Sequence, residues 1–268
     1  EWASLSVLFL GPPLLISRGH SGASHYDKKP LFLRLQHAIG SSSLRHVNVQ
    51  NDAAGEQVNF ASQENMMGLN IAKFQGEPLK TAPFEYLVVN DFVEKQTLDA
   101  ARARYPKVPG PGSHPSPQLK IEGAFSDLID ELRGPEFQAA VEKKFGIDLT
   151  NRPTMYTVRG YCRERDGKIH TDSKTKIITV LLYMNEDNWD NSGGRLRILN
   201  NGTDLEDYVA EVEPRGGTLI VFKRSDNSWH GHHPYAGQRR AIQLNWVLDQ
   251  AVVDHEQNRH GLSSWLKK

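Results

Sequence analysis

The sequence predicts an α+β protein with a mainly β core: an antiparallel β barrel in the C-terminal half, covered on one face by a layer of helices from the N-terminal side. Two observations indicate this fold. Residues 84–150 carry helix-start and helix-stop signals, such as Pro135 and Gly146. After Thr150, short stretches rich in β-branched and aromatic residues alternate with turn clusters, which favours a sandwich or barrel over a parallel α/β sheet.

The 268 residues favour one large domain with an appended segment. We divide the chain into four parts: 1–66, poorly ordered or outside the domain; 67–150, a helical support region; 151–250, the catalytic core; and 251–268, a C-terminal tail. The first part is rich in Ser, Gly, Asn and Gln and shows no sustained helical or strand period. Met66 and Met67 precede the globular pattern, so we hypothesise that the functional protein starts at Met67.

The support region is predicted to hold one strand and three helices. The strand covers 85–89, and Asp91 is expected to cap a helix over 93–105 that ends before Pro106. Residues 107–117 contain four prolines and form a loop. Two further helices are predicted over 122–132 and 135–145.

Six strands are predicted after Thr150, separated by turn clusters. The strands cover 154–161, 176–184, 195–199, 208–212, 218–222 and 239–247. The turns lie at 187–194, 200–203, 214–217 and 225–228.

Composition excludes several classes of function. Lys and Arg total 32, as do Asp and Glu, and a zero net charge argues against a nucleic-acid partner. The most apolar run, 5–16, is interrupted by Gly11 and is shorter than the ~20 residues of a membrane-spanning helix, so we expect no membrane partner. The single cysteine, Cys162, excludes an intramolecular disulfide and favours a reducing compartment, so we expect a cytoplasmic protein.

One pattern in the β-rich half is typical of a metal site. His170 and Asp172 share a face of an extended chain, because side chains two residues apart point the same way. His230 follows 60 residues after His170 and provides a third ligand, with His232 and His233 as alternatives. Two histidines and one carboxylate leave coordination positions open, an arrangement that suits Fe(II).

A pair of arginines follows the third histidine. Arg239 and Arg240 open the last predicted strand, and a guanidinium buried in a barrel needs an anionic partner. A dicarboxylate ligand would provide such an anionic partner.

These motifs resemble the Fe(II)/2-oxoglutarate-dependent dioxygenases, within them the prolyl-hydroxylase-like branch. The resemblance covers 156–246 and includes, besides the histidines and Asp172, Leu182-Tyr183-Met184-Asn185, Gly193-Gly194-Arg195 and Glu213-Pro214-Arg215 in the family order. It implies a double-stranded β-helix (jelly-roll) barrel.

The resemblance also implies roles for individual residues. His170, Asp172 and His230 bind Fe(2+). Arg239 or Arg240 binds the distal carboxylate of 2-oxoglutarate; the spacing from His230 favours Arg239, and the spacing back from Trp246 favours Arg240. Tyr183 also reaches that carboxylate, and Tyr161 lines the pocket near the metal.

The implied reaction is hydroxylation of a C–H bond, of a prolyl residue or a related amino-acid substrate. Peptides or small molecules are the expected substrates, with dioxygen as second substrate, succinate and CO2 as products, and L-ascorbate as a further cofactor. By the same analogy, two segments are expected to flank the substrate: the loop 107–117 and the turn 187–194. The alternative is a cupin-like metal- or metabolite-binding protein without catalytic activity, because the same ligands generally bind later divalent metals more tightly than iron.

Overall fold

The computed structural model describes residues 68–256, which lie within one compact unit of the chain, Gln63–Lys268. The predicted N-terminal segment 1–66, the proposed start at Met67 and residues 257–268 of the predicted tail lie outside the described residues. Residues 250–256, at the end of the described range, are helical.

Between residue 68 and the first long strand lie four α-helices: α1 (Ile71–Gly76), α2 (Lys95–Ala103), α3 (Ala124–Leu132) and α4 (Pro135–Phe145). A 3-10 turn spans Ser116–Gln118. The predictions for α3 and α4 are confirmed, α4 to the residue. Helix α4 begins at a proline, whose fixed φ suits the first turn, and ends at Gly146 in the left-handed conformation with φ 60°.

The predicted capping of α2 by Asp91 is wrong. Asp91 has a φ of +49°, and its carboxylate pairs with Lys73 and with Arg215, each at 3.4 Å. The helix begins four residues later, after Glu94, whose side chain makes no capping hydrogen bond. Asp91 therefore belongs to the turn between the first strand and α2, where two basic side chains each contact one oxygen of its carboxylate.

The described residues form nine strands: β1 (Tyr86–Val89), β2 (Ser113–Pro115), β3 (Thr154–Cys162), β4 (Lys176–Tyr183), β5 (Leu196–Leu199), β6 (Tyr208–Val212), β7 (Leu219–Lys223), β8 (His230–Gly231) and β9 (Gly237–Val247). The strand predicted at 85–89 and the six predicted after Thr150 are confirmed to within two residues at each end. Two strands were not predicted. β2 lies inside the segment 107–117, and β8 contains a candidate metal ligand.

The strands form two antiparallel sheets. One has six strands in the order β1-β7-β4-β9-β3-β2, and the other has three in the order β6-β5-β8. The predicted antiparallel β core is thereby confirmed. β4 and β9 occupy the middle of the larger sheet, and their alternating side chains face opposite sides.

Each face of the larger sheet has its own apolar cluster. One cluster combines helical side chains such as Phe125 and Phe137 with Val180, Leu244 and Trp246 of β4 and β9. The other combines side chains of the larger sheet with those of the smaller one, among them Tyr183, Phe222, Ile198, Val212 and Ala241. The functional site lies on the face that meets the smaller sheet.

Among residues 68–256, no helix is both long enough and apolar enough to cross a bilayer.

Candidate metal centre

A backbone pairing brings two of the predicted ligands together. The N–H of His170 donates to the carbonyl of His230, and the N–H of His230 donates back to the carbonyl of His170, both at 3.0 Å. Their imidazole rings lie 4.3 Å apart between centroids. Two residues that are distant in sequence are therefore neighbours, and Asp172, two positions after His170, completes the group.

The three side chains form a cluster that could hold a metal ion. One donor atom from each of His170, Asp172 and His230 lies within 4.8 Å of the other two. Nδ1 of His170 bonds to the carbonyl of Lys168 at 2.8 Å, and Nδ1 of His230 bonds to the carbonyl of Ser228 at 2.9 Å. With Nδ1 donating to a carbonyl, Nε2 is the free ligand atom on each neutral imidazole. This donor set fits a divalent metal.

Asp172 is held as a carboxylate by its neighbours. Burial alone would raise its pKa, but the ammonium of Lys176, the nearby His230 and the hydroxyl of Thr179 together keep the pKa below its usual value. Nζ of Lys176 donates to Oδ1 at 2.8 Å, and Thr179 donates to Oδ2. Each carboxylate oxygen has two lone pairs, so a metal ligand position remains available.

Thr179 is itself oriented by a buried amide. Nδ2 of Asn245 donates to Oγ1 of Thr179 at 2.8 Å, which leaves the hydroxyl hydrogen of Thr179 for Asp172. Thr179 and Asn245 face each other across β4 and β9. Such outer hydrogen bonds fix the orientation of a ligating carboxylate.

His230 is neutral over the physiological range of pH. Burial, and then the proximity of His170, lowers its pKa to about 4. Its ring packs against Phe222 at 4.9 Å between centroids. A neutral, immobilised imidazole is the form that binds a metal.

The cluster opens into a cavity of about 120 Å³ on the face of the larger sheet. Its wall includes the three candidate ligands and Arg239. The rest of the wall includes apolar side chains, among them Leu181, Leu196 and Phe222, and polar ones such as Ser113 and Arg159.

Arg239 is a buried guanidinium at this cavity. Its side chain is only 3% exposed, Nε donates to the carbonyl of Gly194 at 2.8 Å, and Nη2 donates to the hydroxyl of Tyr183 at 3.0 Å. Among the described residues, no carboxylate forms an ion pair with it. Burial raises the pKa of Tyr183, so its phenol is neutral. A charged donor and a neutral hydroxyl therefore lie side by side.

Arg240 faces the other side of β9. Strand alternation places it with Ile242 and Leu244, and its guanidinium lies 5.1 Å from the centre of the Tyr105 ring on the helical side. It does not contribute to the cavity wall. Of the two arginines between which the sequence could not decide, only Arg239 reaches the cavity.

Tyr161 does not occupy the position expected for it. Its side chain is 46% exposed and is not part of the cavity wall. Arg159, two residues earlier on β3, does line the cavity, but the pairing of β3 with β9 shifts register between Arg159 and Tyr161. Such an irregularity re-aims the side chains that follow it. Tyr161 therefore lies outside the cavity that the candidate metal ligands line.

His232 and His233, the alternatives to His230 as third metal ligand, lie in environments that differ from that of His230. His232 lines the cavity, and burial followed by the charge of Arg239 lowers its pKa to about 4. His233 bonds instead to Glu206 at 2.7 Å and to Arg197 at 2.8 Å. Neither residue belongs to the cluster of potential metal ligands found in the described part of the chain.

Several residues of the site could not be recognised from the sequence. Lys176 and Thr179 bond to Asp172, Asn245 orients Thr179, and the carbonyl of Gly194 accepts from Arg239. For Thr179 and Asn245, strand alternation on β4 and β9 indicates only that both side chains lie on the cavity face. Gly194 lies in the predicted turn 187–194, and its φ of +76° explains why glycine suits that position.

Comparison with solved structures finds weak overall likenesses. A prolyl-4-hydroxylase from Pseudomonas putida is 17% identical, with a TM-score of 0.42 over 66% of this chain and 90% of that chain. A 2OG-Fe(II) oxygenase family oxidoreductase from Burkholderia pseudomallei is 14% identical, with a TM-score of 0.44 over 66% and 89%. The viral collagen prolyl hydroxylase of Paramecium Bursaria Chlorella virus-1 is 15% identical, with a TM-score of 0.41 over 61% and 96%. These likenesses do not identify a substrate.

Comparison with curated proteins finds no match. Comparison with protein-family models does find one. Residues 156–248 match the model of the 2OG-Fe(II) oxygenase superfamily. This segment contains the three candidate metal ligands together with Tyr183 and Arg239. The match confirms, over residues 156–248, the resemblance predicted from the motifs.

Proposed function

We propose that this protein is an Fe(II)- and 2-oxoglutarate-dependent dioxygenase that hydroxylates a C–H bond of a prolyl residue or a related amino-acid substrate. One observation carries the proposal: a single cavity is lined by the whole His170, Asp172 and His230 cluster and by the buried guanidinium of Arg239. A metal site alone fits many functions. A metal site beside a buried, unpaired cation fits a reaction with an anionic cosubstrate.

The three ligands would hold Fe(II) through Nε2 of each histidine and an oxygen of Asp172. When bound, Fe(II) with 2-oxoglutarate and dioxygen supplies the oxidising chemistry, in which 2-oxoglutarate, O2 and R–H give succinate, CO2 and R–OH. The protein keeps Asp172 ionised and His230 neutral, so these two ligands are ready without a change of protonation. Ascorbate is expected to sustain activity.

Arg239 and Tyr183 would bind the distal carboxylate of 2-oxoglutarate. A carboxylate can accept hydrogen bonds from the guanidinium and from the phenol at the same time. Because Arg239 is buried, this charge-assisted contact would act in a medium of low dielectric, where it is stronger than in water. The two residues thereby fix which end of the cosubstrate faces the metal.

The apolar part of the wall would keep water from the reacting atoms. Leu181, Leu196 and Phe222 line the same cavity as the candidate metal ligands and Arg239. Exclusion of water strengthens the electrostatic contacts and suppresses side reactions.

The same proposal extends to the fold. The two antiparallel sheets that share an apolar cluster support a double-stranded β-helix over 151–250, with the helical residues of 67–150 as its support. The smaller sheet contributes β8, and thus His230, to the site.

The test is turnover of 2-oxoglutarate to succinate by the full chain with Fe(II) and ascorbate under air. We expect succinate release from the wild type, its loss in His170→Ala and Asp172→Ala, and its retention in the control His255→Ala, whose side chain is exposed. A wild type that binds metal and 2-oxoglutarate yet releases no succinate would instead be a cupin-like binding protein.

A further inference from the structure

A second arginine faces the cavity. Arg159 of β3 lines it, together with Ser113 of β2 and Arg239 of β9. Arg159 lies opposite Ala241 on β9 and opposite Ser113 on β2. Since Arg239 and Ala241 share the cavity face of β9, the two guanidinium groups belong to neighbouring strands and point to the same space.

Arg159 lacks a strong carboxylate partner of its own. Nη2 donates to the hydroxyl of Ser113 at 3.1 Å, and Nη1 reaches Sγ of Cys162 at 3.3 Å and Asp166 at 3.5 Å. Asp166 is held more closely by Arg163, through the backbone N–H at 3.0 Å and Nη2 at 3.2 Å. Arg159 therefore contacts a hydroxyl, a thiol and one carboxylate that Arg163 holds more closely.

The two arginines differ in their access to solvent. Arg239 is buried, whereas Arg159 is partly exposed. Arg159 also borders β2, at the edge of the larger sheet. A cosubstrate held by Arg239 would leave Arg159 accessible to a second molecule.

The charges of the proposed active site point to the nature of that molecule. Counted with their ion-pair partners, the basic side chains Arg159, Arg163, Lys176 and Arg239 and Fe(II) bring six positive charges. The carboxylates of Asp166 and Asp172 and 2-oxoglutarate bring four negative charges, so two positive charges remain. A neutral substrate would leave this positive charge uncompensated in a partly desolvated space, whereas an anionic substrate would complement it.

We propose that Arg159 binds a carboxylate of the substrate, and that the substrate is an amino acid or short peptide with a free carboxylate. This inference rests on the proposed function, and it narrows the substrate class of the same site. A planar guanidinium and the Ser113 hydroxyl beside it suit a carboxylate, which accepts parallel hydrogen bonds.

The test compares ligands of the same shape that differ in charge. N-acetyl-L-proline and N-acetylglycine are each compared with their amides, by ligand-detected NMR on the full chain loaded with Zn(II) and saturating 2-oxoglutarate. We expect each acid to bind about 10- to 100-fold more tightly than its amide, the range expected for a hydrogen bond to a charged group. Arg159→Gln should abolish the preference, and Arg159→Lys should restore part of it.

A matched control and a cosubstrate measurement complete the design. Arg165→Gln changes an exposed arginine outside the cavity wall and should keep the preference. Equal binding of acid and amide, binding of neither, or a preference that survives Arg159→Gln would overturn the proposal. So would a rise in the apparent KM for 2-oxoglutarate in Arg159→Gln as large as in Arg239→Ala, because Arg159 would then bind the cosubstrate.

The outcome also separates this proposal from the enzymatic one. Succinate release by the wild type without discrimination between acid and amide would refute the role of Arg159 alone. Discrimination without succinate release would refute the dioxygenase and leave an anion-binding site.

Discussion

The backbones of His170 and His230 exchange two hydrogen bonds of 3.0 Å, each residue donating to the carbonyl of the other. The candidate ligands are therefore aligned by main-chain pairing, which does not depend on their side chains. Replacing either imidazole should remove a ligand while the pairing persists. This makes single ligand substitutions interpretable as changes in metal binding.

The first prediction concerns the two consecutive arginines. Arg239→Ala should raise the apparent KM for 2-oxoglutarate about 10- to 100-fold, because a charge-assisted hydrogen bond contributes about 1.5–3 kcal/mol. Arg240→Ala should leave that KM nearly unchanged, since its guanidinium lies against Tyr105 on the opposite face. The measurement is initial-rate succinate release over a range of 2-oxoglutarate concentrations.

Thermal unfolding of both arginine variants provides the control, because each must retain the wild-type fold. Equal changes in KM for the two variants would contradict the assignment of Arg239 to the cosubstrate.

A second prediction uses a pair of tyrosines. Tyr183→Phe removes the hydroxyl that contacts Arg239 and should raise the apparent KM for 2-oxoglutarate about 2- to 10-fold, the usual range for one neutral hydrogen bond. Tyr161→Phe should have no such effect, because Tyr161 is exposed outside the cavity. A larger rise in Tyr161→Phe than in Tyr183→Phe would show that the cosubstrate lies elsewhere.

A third prediction concerns the stability of the metal-free protein. Burial lowers the pKa values of His230 and His232 from 6.5 to about 4. Between these values the unfolded chain binds protons that the folded chain does not, so the free energy of unfolding should decrease as pH falls from about 6.5 to about 4. Urea midpoints at several pH values measure the trend.

His232→Gln should reduce this pH dependence, whereas His255→Ala, at an exposed position, should not. Urea midpoints that stay constant from pH 6.5 to pH 4.5 would mean that these histidines are accessible to protons in the folded state.

Much of the fold could be predicted because the local signals agree with the tertiary environment. The alternation of β9 separates Arg239 from Arg240, and the pattern from Ile242 to Trp246 marks the face that meets the helices. The bounds of α4 follow from Pro135 and Gly146, which act through their own backbone preferences. His-x-Asp and a distant histidine were sufficient to locate the candidate metal centre.

The errors have non-local causes. Tyr161 continues the alternation of β3 in sequence, but the register shift after Arg159 depends on the pairing with β9 and turns Tyr161 outward. The local sequence predicts that Asp91 caps a helix. In the fold its carboxylate pairs instead with Lys73 and Arg215, which come from other parts of the chain. β2 and β8 are too short to show an alternating pattern in the sequence. They form because they pair with β3 and β5. Lys176 could be recognised as a partner of Asp172 only in the folded chain.

The most direct test of the account is an anaerobic titration of the full chain with Fe(II) and then 2-oxoglutarate, followed by visible absorption. We predict one Fe(II) per chain and a weak charge-transfer band that develops only when both are bound. His170→Ala and Asp172→Ala should not produce the band, and His255→Ala should. Wild-type protein without the band, or ligand variants that retain it at full intensity, would contradict the assignment of His170, Asp172 and His230 to a ferrous centre that binds 2-oxoglutarate.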